Sequence, residues 1–374
     1  MSVRLSLGRV RSCAIAALGA SVILGAVWAA TGFRTSLHAT GQSAQTPLAS
    51  NFTLDGPFTH ENLSIYVVRG STTDGRAYIT LDEGLTARTV AVREKGAGAG
   101  QDRAEVNTVE IENRSDKWLF LQAGDIVKGG KQDRTIMTDL LLAPGSGPQP
   151  IEAFCVERGR WTTTRDGLDF TASPGIVAGG SLKRAIQSDK DQSRVWEEVA
   201  KAEGRAVKAA RAGGEPLEAQ ARLSSTGTYN AIAQNKTVSG SRDAYVKALL
   251  PHLQKHQNAI GLAVAINGAV TSADVYGSPA LFRRLSAKLL NSFALEALLA
   301  REAAQQVKAP GPQQVTAFLS SPASVRAQTE TVGRSMQRST RENDGAVMYE
   351  YGHLNPPAGG KAGIVVVHQS YVKK

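Results

Sequence analysis

Two short polar clusters carry most of the residues in this sequence that could do chemistry. The first is Lys128-Gly-Gly-Lys-Gln-Asp-Arg134, and the second is Cys155-Val-Glu-Arg-Gly-Arg-Trp161. A guanidinium group offers a rigid fork of donors that matches a phosphate or a carboxylate. We therefore expect the two clusters to converge on a basic pocket for an anionic small molecule. The expected contact residues are Lys131, Gln132, Arg134, Arg158, Arg160 and Trp161.

The same residues also fit a structural role. The arginines have acidic neighbours with which they could form ion pairs, namely Asp125, Asp133, Glu152 and Glu157. Trp161 could stack on a base or pack in the core. The sequence leaves both interpretations open.

Catalysis in this region would need a nucleophile or an acid. Cys155 could act with a histidine as its base, and Arg158 and Arg160 would lower the pKa of its thiol if they lay nearby. His368 is the best-placed histidine, because a final strand can reach the clusters across a sheet. Glu157 is the alternative acid. The weak catalytic candidates are therefore Cys155, Glu157 and His368.

Two common ligand motifs are incomplete. His252 and His256 have a spacing that can chelate zinc, but Leu253 replaces the glutamate of the HExxH motif. The string from Gly124 to Lys131 lacks the first glycine of a Walker A loop, and Gln132 follows where serine or threonine is required. We predict no metal site and no cofactor.

The N-terminus has the features of an export signal. Arg4, Arg9 and Arg11 precede an uncharged, largely apolar stretch from Ser12 to Phe33. Basic residues followed by an apolar region are typical of a secretory signal. The stretch is also long enough to serve as an uncleaved anchor. We expect an exported protein that is periplasmic, secreted or anchored to the inner membrane by this segment.

The overall charge gives little support to nucleic acid binding. The formal net charge is +10 over 374 residues. Four of these charges come from Arg4, Arg9, Arg11 and Arg34, which leaves +6 for the rest of the chain. Because that charge is spread out, we predict no nucleic acid partner. Membrane contact is expected only through the N-terminal segment, and protein partners are not specified.

The apolar pattern predicts an α+β fold. Alternating residues from Leu63 onward predict a β-rich N-terminal half. Helical spacing after Gly180 predicts helices in the C-terminal half, where Asn267-Gly268 is the signal of a β-hairpin. Two closing strands are expected at 347–351 and 364–371. Since strands from both ends are alike, we predict segments 1–39 (signal or anchor), 40–59 (tether) and 60–374 (one composite domain).

Three finer expectations concern the elements around the polar clusters. The apolar run from Ile136 to Leu142 is interpreted as one buried strand. Residues 106–112 and 118–121 are expected to form a hairpin. Residues 308–344 are expected to be mostly loop, with one short helix around Val315–Leu319.

Several strings together resemble one bacterial family, the ARPP domain ("ARG and rhodanese-phosphatase-superfamily-associated protein"). The resemblance covers roughly Thr59 to the C-terminus. The Cys-Val-Glu-x-Gly-Arg-Trp string is its most specific part. The strings are Tyr78-Ile-Thr-Leu-Asp-Glu-Gly-Leu85, Glu112-Asn-Arg-Ser-Asp116, Gly130-Lys-Gln-Asp-Arg134, Cys155-Val-Glu-Arg-Gly-Arg-Trp161, Gln192-Ser-Arg-Val-Trp196 and Val367-His368.

The family name implies an association with ADP-ribosylglycohydrolases and phosphatases, and so a role near ADP-ribose or nucleotide chemistry. The chain departs from the family pattern at two places. It has Gly124-Asp125 where Gly-Glu is usual, and Lys131-Gln-Asp-Arg134 where Lys-Gln-Asn-Arg is usual. The second change adds a negative charge, which would weaken an anionic ligand at that position.

These observations favour an exported ligand-binding or accessory domain with a basic pocket for an ADP-ribose-like or other anionic ligand. One alternative is a hydrolase that acts on an ADP-ribose-like or phosphorylated compound. The other is a purely structural envelope protein in which the arginines only pair with neighbouring acids.

Overall fold

Short strands separated by turns make up much of the chain, and the computed structural model describes residues 52–71, 74–95, 107–160, 167, 169–301, 307–355 and 363–374. The strands are β1 (Thr53–His60), β2 (Leu63–Arg69), β3 (Tyr78–Thr80), β4 (Val90–Glu94), β5 (Thr108–Asn113), β6 (Trp118–Leu121), β7 (Asp125–Gly129), β8 (Arg134–Ile136), β9 (Leu140–Leu142), β10 (Gln149–Cys155), β11 (Phe170–Val177), β12 (Ala259–Ile266), β13 (Ala269–Tyr276), β14 (Gln328–Val332), β15 (Met336–Glu342), β16 (Ala346–Asn355) and β17 (Gly363–Lys373).

The helices lie mainly in the C-terminal half, which confirms the predicted α+β class. They are α1 (Leu81–Thr86), α2 (Gly180–Arg184), α3 (Gln192–Ala212), α4 (Leu217–Thr226), α5 (Tyr229–Gln234), α6 (Lys236–Gln254), α7 (Pro279–Leu299) and α8 (Pro312–Ser320). A π-helical turn at Ala185–Asp189 continues α2, and a 3-10 turn at Ser321–Ser324 follows α8.

The largest sheet combines strands from both ends of the chain, as their similar patterns suggested. Its eight strands have the order β1-β2-β12-β13-β17-β16-β15-β14, and every neighbouring pair is antiparallel. Thr46–Lys374 forms one compact unit. Strand β1 begins at Thr53, within the segment expected to be a tether with little structure.

Both faces of this sheet are covered, which explains why β2 is buried along nearly its whole length. Leu63, Ile65 and Val67 face one core, to which α7 contributes its apolar side. Tyr66 and Val68 face a second, smaller core closed by α8.

A second sheet of six strands has the order β11-β7-β8-β10-β5-β4. A bridge between Arg93 of β4 and Asp169, just before β11, brings its two edges together. Alternation places Val90, Val92 and Glu94 of β4 on the buried side. The carboxylate of Glu94 therefore points to the buried side of this sheet. The remaining strands form a three-stranded sheet of order β3-β6-β9.

Local sequence signals predicted several elements correctly. Asn267 and Gly268 have φ angles of 51° and 78°, as a type I′ turn between β12 and β13 requires. Ser278 caps α7 by accepting a hydrogen bond from the Leu281 amide, and Pro279 opens the helix. The two closing strands are present as β16 and β17.

Two of the three finer expectations are wrong and the third is only partly confirmed, because pairing is decided by distant residues. The apolar run from Ile136 to Leu142 is two strands in different sheets, separated by a polar break that contains Asp139. β5 pairs with β4 and β10, whereas β6 pairs with β3 and β9, so the expected hairpin is wrong. The stretch 308–344 contains α8 as expected, but also the strands β14 and β15.

The predicted export segment at 12–33 lies outside the described residues. Among the residues that are described, no helix combines the length and apolar character needed to cross a bilayer.

Candidate functional site

The two polar clusters of the sequence meet inside the six-stranded sheet. The turn between β7 and β8 carries Lys131, Gln132 and Asp133, and Arg134 is the first residue of β8. Arg134 lies directly opposite Cys155, the last residue of β10. The expected convergence of the two clusters therefore comes from strand pairing.

Arg134 is completely enclosed. Its side chain has no exposed surface, and neither has that of Glu94, with which it forms two hydrogen bonds of 3.1 Å. It also donates to the sulfur of Cys155. A further hydrogen bond, of 3.4 Å, runs from Arg134 to the side-chain oxygen of Gln132. A buried charge pair of this kind costs much desolvation, so it persists only where its geometry is good.

The glycine turn before Arg134 allows Glu94 to approach the backbone. The Lys131 amide donates to Glu94 Oε1 at 3.0 Å. Gly130 has a φ of +50°, and a Cβ at this position would lie 2.6 Å from Glu94 Oε1 and 2.5 Å from Phe170 Cζ. The Gly-Gly-Lys string is therefore explained by close packing around a carboxylate.

A second group of charges lies beside the first. Arg160 donates to Glu157 through Nε at 2.8 Å and through Nη2 at 2.5 Å, and it lies 3.4 Å from Asp133. It also donates to the backbone oxygens of Gly130 and Gly129. We call Glu94, Arg134, Asp133, Glu157 and Arg160 the arginine cluster. Its three carboxyl groups outnumber its two guanidinium groups, so it is not a basic pocket.

Asp133 stands where the family that this chain resembles usually has asparagine. Both oxygens of its carboxylate accept hydrogen bonds from the protein. Its carboxylate accepts from the Gly129 amide at 3.1 Å, from Thr228 Oγ1 at 3.0 Å and from Asn230 Nδ2 at 2.6 Å. Burial raises the pKa of this carboxyl, which these hydrogen bonds partly offset. The extra charge binds the chain's own donors.

Arg158 lies on the surface instead. Its side chain is exposed and lies 5.8 Å from the centre of the Trp196 ring, a cation–π contact. Its backbone amide donates to the Gly227 oxygen at 2.7 Å. Trp161, the remaining predicted contact residue, lies outside the described residues.

Cys155 is not an activated nucleophile in this geometry. Burial raises the pKa of its thiol, and the nearby Arg134 only partly offsets that effect. The Gln192 side chain clamps the Cys155 backbone, accepting from its amide at 2.9 Å and donating to its oxygen at 2.8 Å. Gln192 and Trp196 belong to the same string of the resemblance. Gln192 holds the Cys155 backbone by hydrogen bonds, and Trp196 contacts Arg158.

His368 lies in a separate buried group. Its Nδ1 is 2.5 Å from Asp139, and its Nε2 is 3.1 Å from Asp274. Lys183 donates to both oxygens of Asp274, at 3.0 and 3.2 Å. Both ring nitrogens of His368 therefore face carboxylates, and the candidate Cys155–His368 pair is not formed. We call these four residues the histidine cluster.

The charges of the histidine cluster stabilise one another. Burial lowers the pKa of His368, but Asp139 and Asp274 raise it to about 8. Burial would raise the pKa of Asp274, but Lys183 and His368 hold it well below its usual range. Tyr276, the cross-strand neighbour of His368, stacks on the imidazole at 4.3 Å.

A third buried ion pair links α7 to the N-terminal half. Lys288 is 2.7 Å from Asp125 and 2.9 Å from Asp82. Burial lowers the pKa of Lys288, but the two carboxylates raise it above its ordinary value. The predicted ion-pair partner Asp125 is thus used by a lysine rather than by an arginine.

Sequence reasoning missed the partners of these charges: Glu94, Asp139, Lys183, Asp274 and Lys288. The sequence feature that could have identified them is a single charged residue among apolar neighbours. Glu94 occupies an inward position of an alternating strand, and Lys288 lies on the apolar side of α7. The two histidines whose spacing could suit a zinc ion each have another neighbour. His252 stacks on Phe58 at 4.1 Å, and His256 lies 3.4 Å from Asp55.

Fold and site together define an α+β protein whose polar strings converge on buried ion pairs. The chain belongs to the ARPP-1 family, since the model of the ARG and Rhodanese-Phosphatase-superfamily-associated Protein domain matches residues 51–367. This confirms the resemblance drawn from the sequence. No curated protein and no solved structure matches the chain.

Proposed function

We propose that this protein is an exported accessory domain without catalytic activity, in which the arginine cluster stabilises the fold. The observation that carries the proposal is the enclosure of Arg134, whose side chain is fully buried against Glu94. A phosphate could reach this guanidinium only by displacing a carboxylate held by two hydrogen bonds. Such a displacement would leave Glu94 buried without a partner, at a cost of several kcal/mol.

The other candidate residues support the same proposal. Arg160 directs its donors to Glu157, Asp133 and two backbone oxygens, and only 23% of its side chain is exposed. The raised pKa of Cys155 keeps its sulfur protonated and therefore a poor nucleophile. Among the three arginines predicted to contact a ligand, Arg158 is the one whose side chain is exposed.

Export is supported by the N-terminal sequence. Arg4, Arg9 and Arg11 followed by the apolar stretch from Ser12 are typical of a secretory signal or an anchor. We place the protein in the periplasm, outside the cell or on the outer side of the inner membrane.

The proposal is tested by thermal unfolding against ADP-ribose, nucleotides and sugar phosphates, with Arg158→Ala and Arg160→Ala beside the native protein. We expect no compound to raise the melting temperature. We expect Arg160→Ala to lower it clearly, because Glu157 and Asp133 lose their partner, and Arg158→Ala to change it little.

A ligand at about 100 times its dissociation constant adds about 2.7 kcal/mol to the stability of the native state, which such a scan detects easily. A rise that Arg158→Ala or Arg160→Ala abolishes would contradict the proposal in favour of an anion pocket. Turnover of any of these compounds would contradict it in favour of a hydrolase.

A further inference from the structure

Helix α3 presents a basic side to solvent. Its buried side consists of small and branched apolar residues: Val195, Val199, Ala206 and Ala210. Lys201, Arg205, Lys208 and Arg211 are all exposed. Their three- and four-residue spacing places them together on the opposite side of the helix. We call these four residues the basic face of α3, which extends over about 15 Å.

One acidic residue lies close to the first two cations of this face. Lys201 pairs with Glu198 at 2.6 Å, and Arg205 also helps to lower the pKa of the Glu198 carboxyl. Within the part of the chain that the structure describes, no ion pair involves Lys208 or Arg211. Glu203 is the only acid of α3 beyond Lys201, and it is partly buried with a pKa that burial raises. The basic face therefore keeps most of its charge.

An apolar residue follows the basic face in the chain. Leu217, the first residue of α4, is 79% exposed, and it is the only large hydrophobic side chain so exposed among the described residues. The four cations of α3 offer electrostatic attraction, and Leu217, six residues after Arg211 in the chain and next to the exposed Glu218, offers an apolar contact. Clusters of four or more basic residues are attracted to anionic bilayer surfaces.

We propose that the basic face of α3, with Leu217, docks on an anionic lipid bilayer. A bilayer offers acidic headgroups to the cations and an acyl boundary to the leucine. A nucleic acid backbone would leave the leucine without a partner, and the basic face has no aromatic ring on which a base could stack. The inference rests on the proposed export, which would bring the domain next to a membrane surface.

The expected contribution of the face is large. Each basic side chain near an anionic surface contributes about fivefold to the affinity. Removing all four charges should therefore weaken the charge-dependent part of binding by roughly 100-fold or more. The sequence predicted membrane contact only through the N-terminal segment. The basic face would be a second, separate contact.

Site-resolved lysine acetylation of the full-length chain tests the proposal. The rates at Lys201 and Lys208 are measured by mass spectrometry, with Lys236 and Lys247 of α6 as exposed reference sites. The arms are no addition, phosphatidylcholine vesicles, vesicles with about one-third phosphatidylglycerol, and duplex DNA at equal phosphate concentration. The N-terminal segment is present in every arm, and the α6 lysines report any general approach to the vesicles that this segment causes.

We expect the phosphatidylglycerol vesicles alone to slow acetylation of Lys201 and Lys208 at least threefold, with the α6 lysines unchanged. The proposal is overturned by equal rates with and without these vesicles, or by equal protection from phosphatidylcholine. Equal protection of the α6 lysines, or stronger protection by DNA, also overturns it.

Matched variants then assign the effect to the basic face. Replacing Lys201, Arg205, Lys208 and Arg211 by glutamine should strongly reduce the phosphatidylglycerol-dependent increment in vesicle flotation. Replacing Lys236, Lys247, Lys308 and Arg326 by glutamine, an equal change in charge at exposed sites, should preserve it. Equal flotation of the two variants would contradict the assignment. Export is measured separately by cell fractionation, so its failure is distinguishable from failure of this contact.

Discussion

At the scale of single residues, His368 connects three parts of the molecule. It lies in β17 and contacts Asp139, between β8 and β9, and Asp274 of β13. Asp274 is held in turn by Lys183 of α2. Phe120 and Tyr276 enclose the ring. Because the site is buried, the charge on this imidazole should be visible in the stability of the whole protein.

Stability should fall in mildly alkaline solution. The folded state raises the pKa of His368 from 6.5 to about 8. A raised folded-state pKa stabilises the protein fully below pH 6.5, and that stabilisation is lost as the pH rises through 8. We expect a loss of about 2 kcal/mol over the whole transition, more than half of it between pH 6.5 and 8, measured by urea unfolding at a series of pH values.

Two variants make this prediction specific. His368→Asn should be less stable than the native protein at pH 6.5 and should lack the decrease toward pH 8. His256→Asn removes a partly exposed pairing with Asp55, so it should keep the native profile. A native profile that is flat or that rises from pH 6.5 to 8 would show that His368 is not held as a cation.

Residue roles were predictable from the sequence only in part. The convergence of the two polar clusters was predicted, and the pairing of Arg160 with Asp133 and Glu157 was among the open alternatives. Glu94 lies 40 residues before Arg134, and no local spacing connects them. Asp139 was hidden within what looked like one apolar strand. Buried ion pairs form between distant strands, so their partners are fixed by tertiary packing.

At the scale of elements, glycines distinguish close packing from mere flexibility. In α3, a Cβ at Gly204 would meet nothing within 4 Å. At Gly130, a Cβ would meet Phe170 and Glu94 at 2.5–2.6 Å, and φ is +50°. The same substitution should therefore have opposite effects at the two positions.

Gly204→Ala should stabilise the protein by about 0.5–1 kcal/mol, because alanine loses less backbone entropy in a helix. The measurement is urea unfolding followed by circular dichroism. Gly130→Ala, its matched counterpart, should destabilise the protein. A stabilising Gly130→Ala would contradict the packing described around Glu94.

Elements with strong local signals were predicted well, and those without were missed. The Asn267-Gly268 turn and the Ser278-Pro279 start of α7 each depend on a few adjacent residues. Strands β14 and β15 are rich in polar residues that remain at least partly exposed, so they lack the apolar alternation that identifies a strand. β14 pairs with β15, and β15 pairs with β16. The sequence pattern does not specify these pairings.

At the scale of the whole molecule, three buried charge groups connect the layers. The arginine cluster lies within the six-stranded sheet, and the histidine cluster joins the eight-stranded sheet to α2. Lys288 joins α7 to β7 and α1. Buried ion pairs are weak sources of net stability, but breaking one of them is costly. The charges in these groups are better explained by the arrangement of the layers than by an anionic ligand.

The most direct test of this account is a double-mutant cycle on Arg134 and Glu94, measured by urea unfolding with and without ADP-ribose. We predict that Arg134→Met and Glu94→Gln each cost about 3–5 kcal/mol and that the double variant loses far less than their sum. ADP-ribose should change none of the four values. The account is contradicted if the single variants stay within about 0.5 kcal/mol of the native protein while ADP-ribose stabilises the native protein but not Arg134→Met.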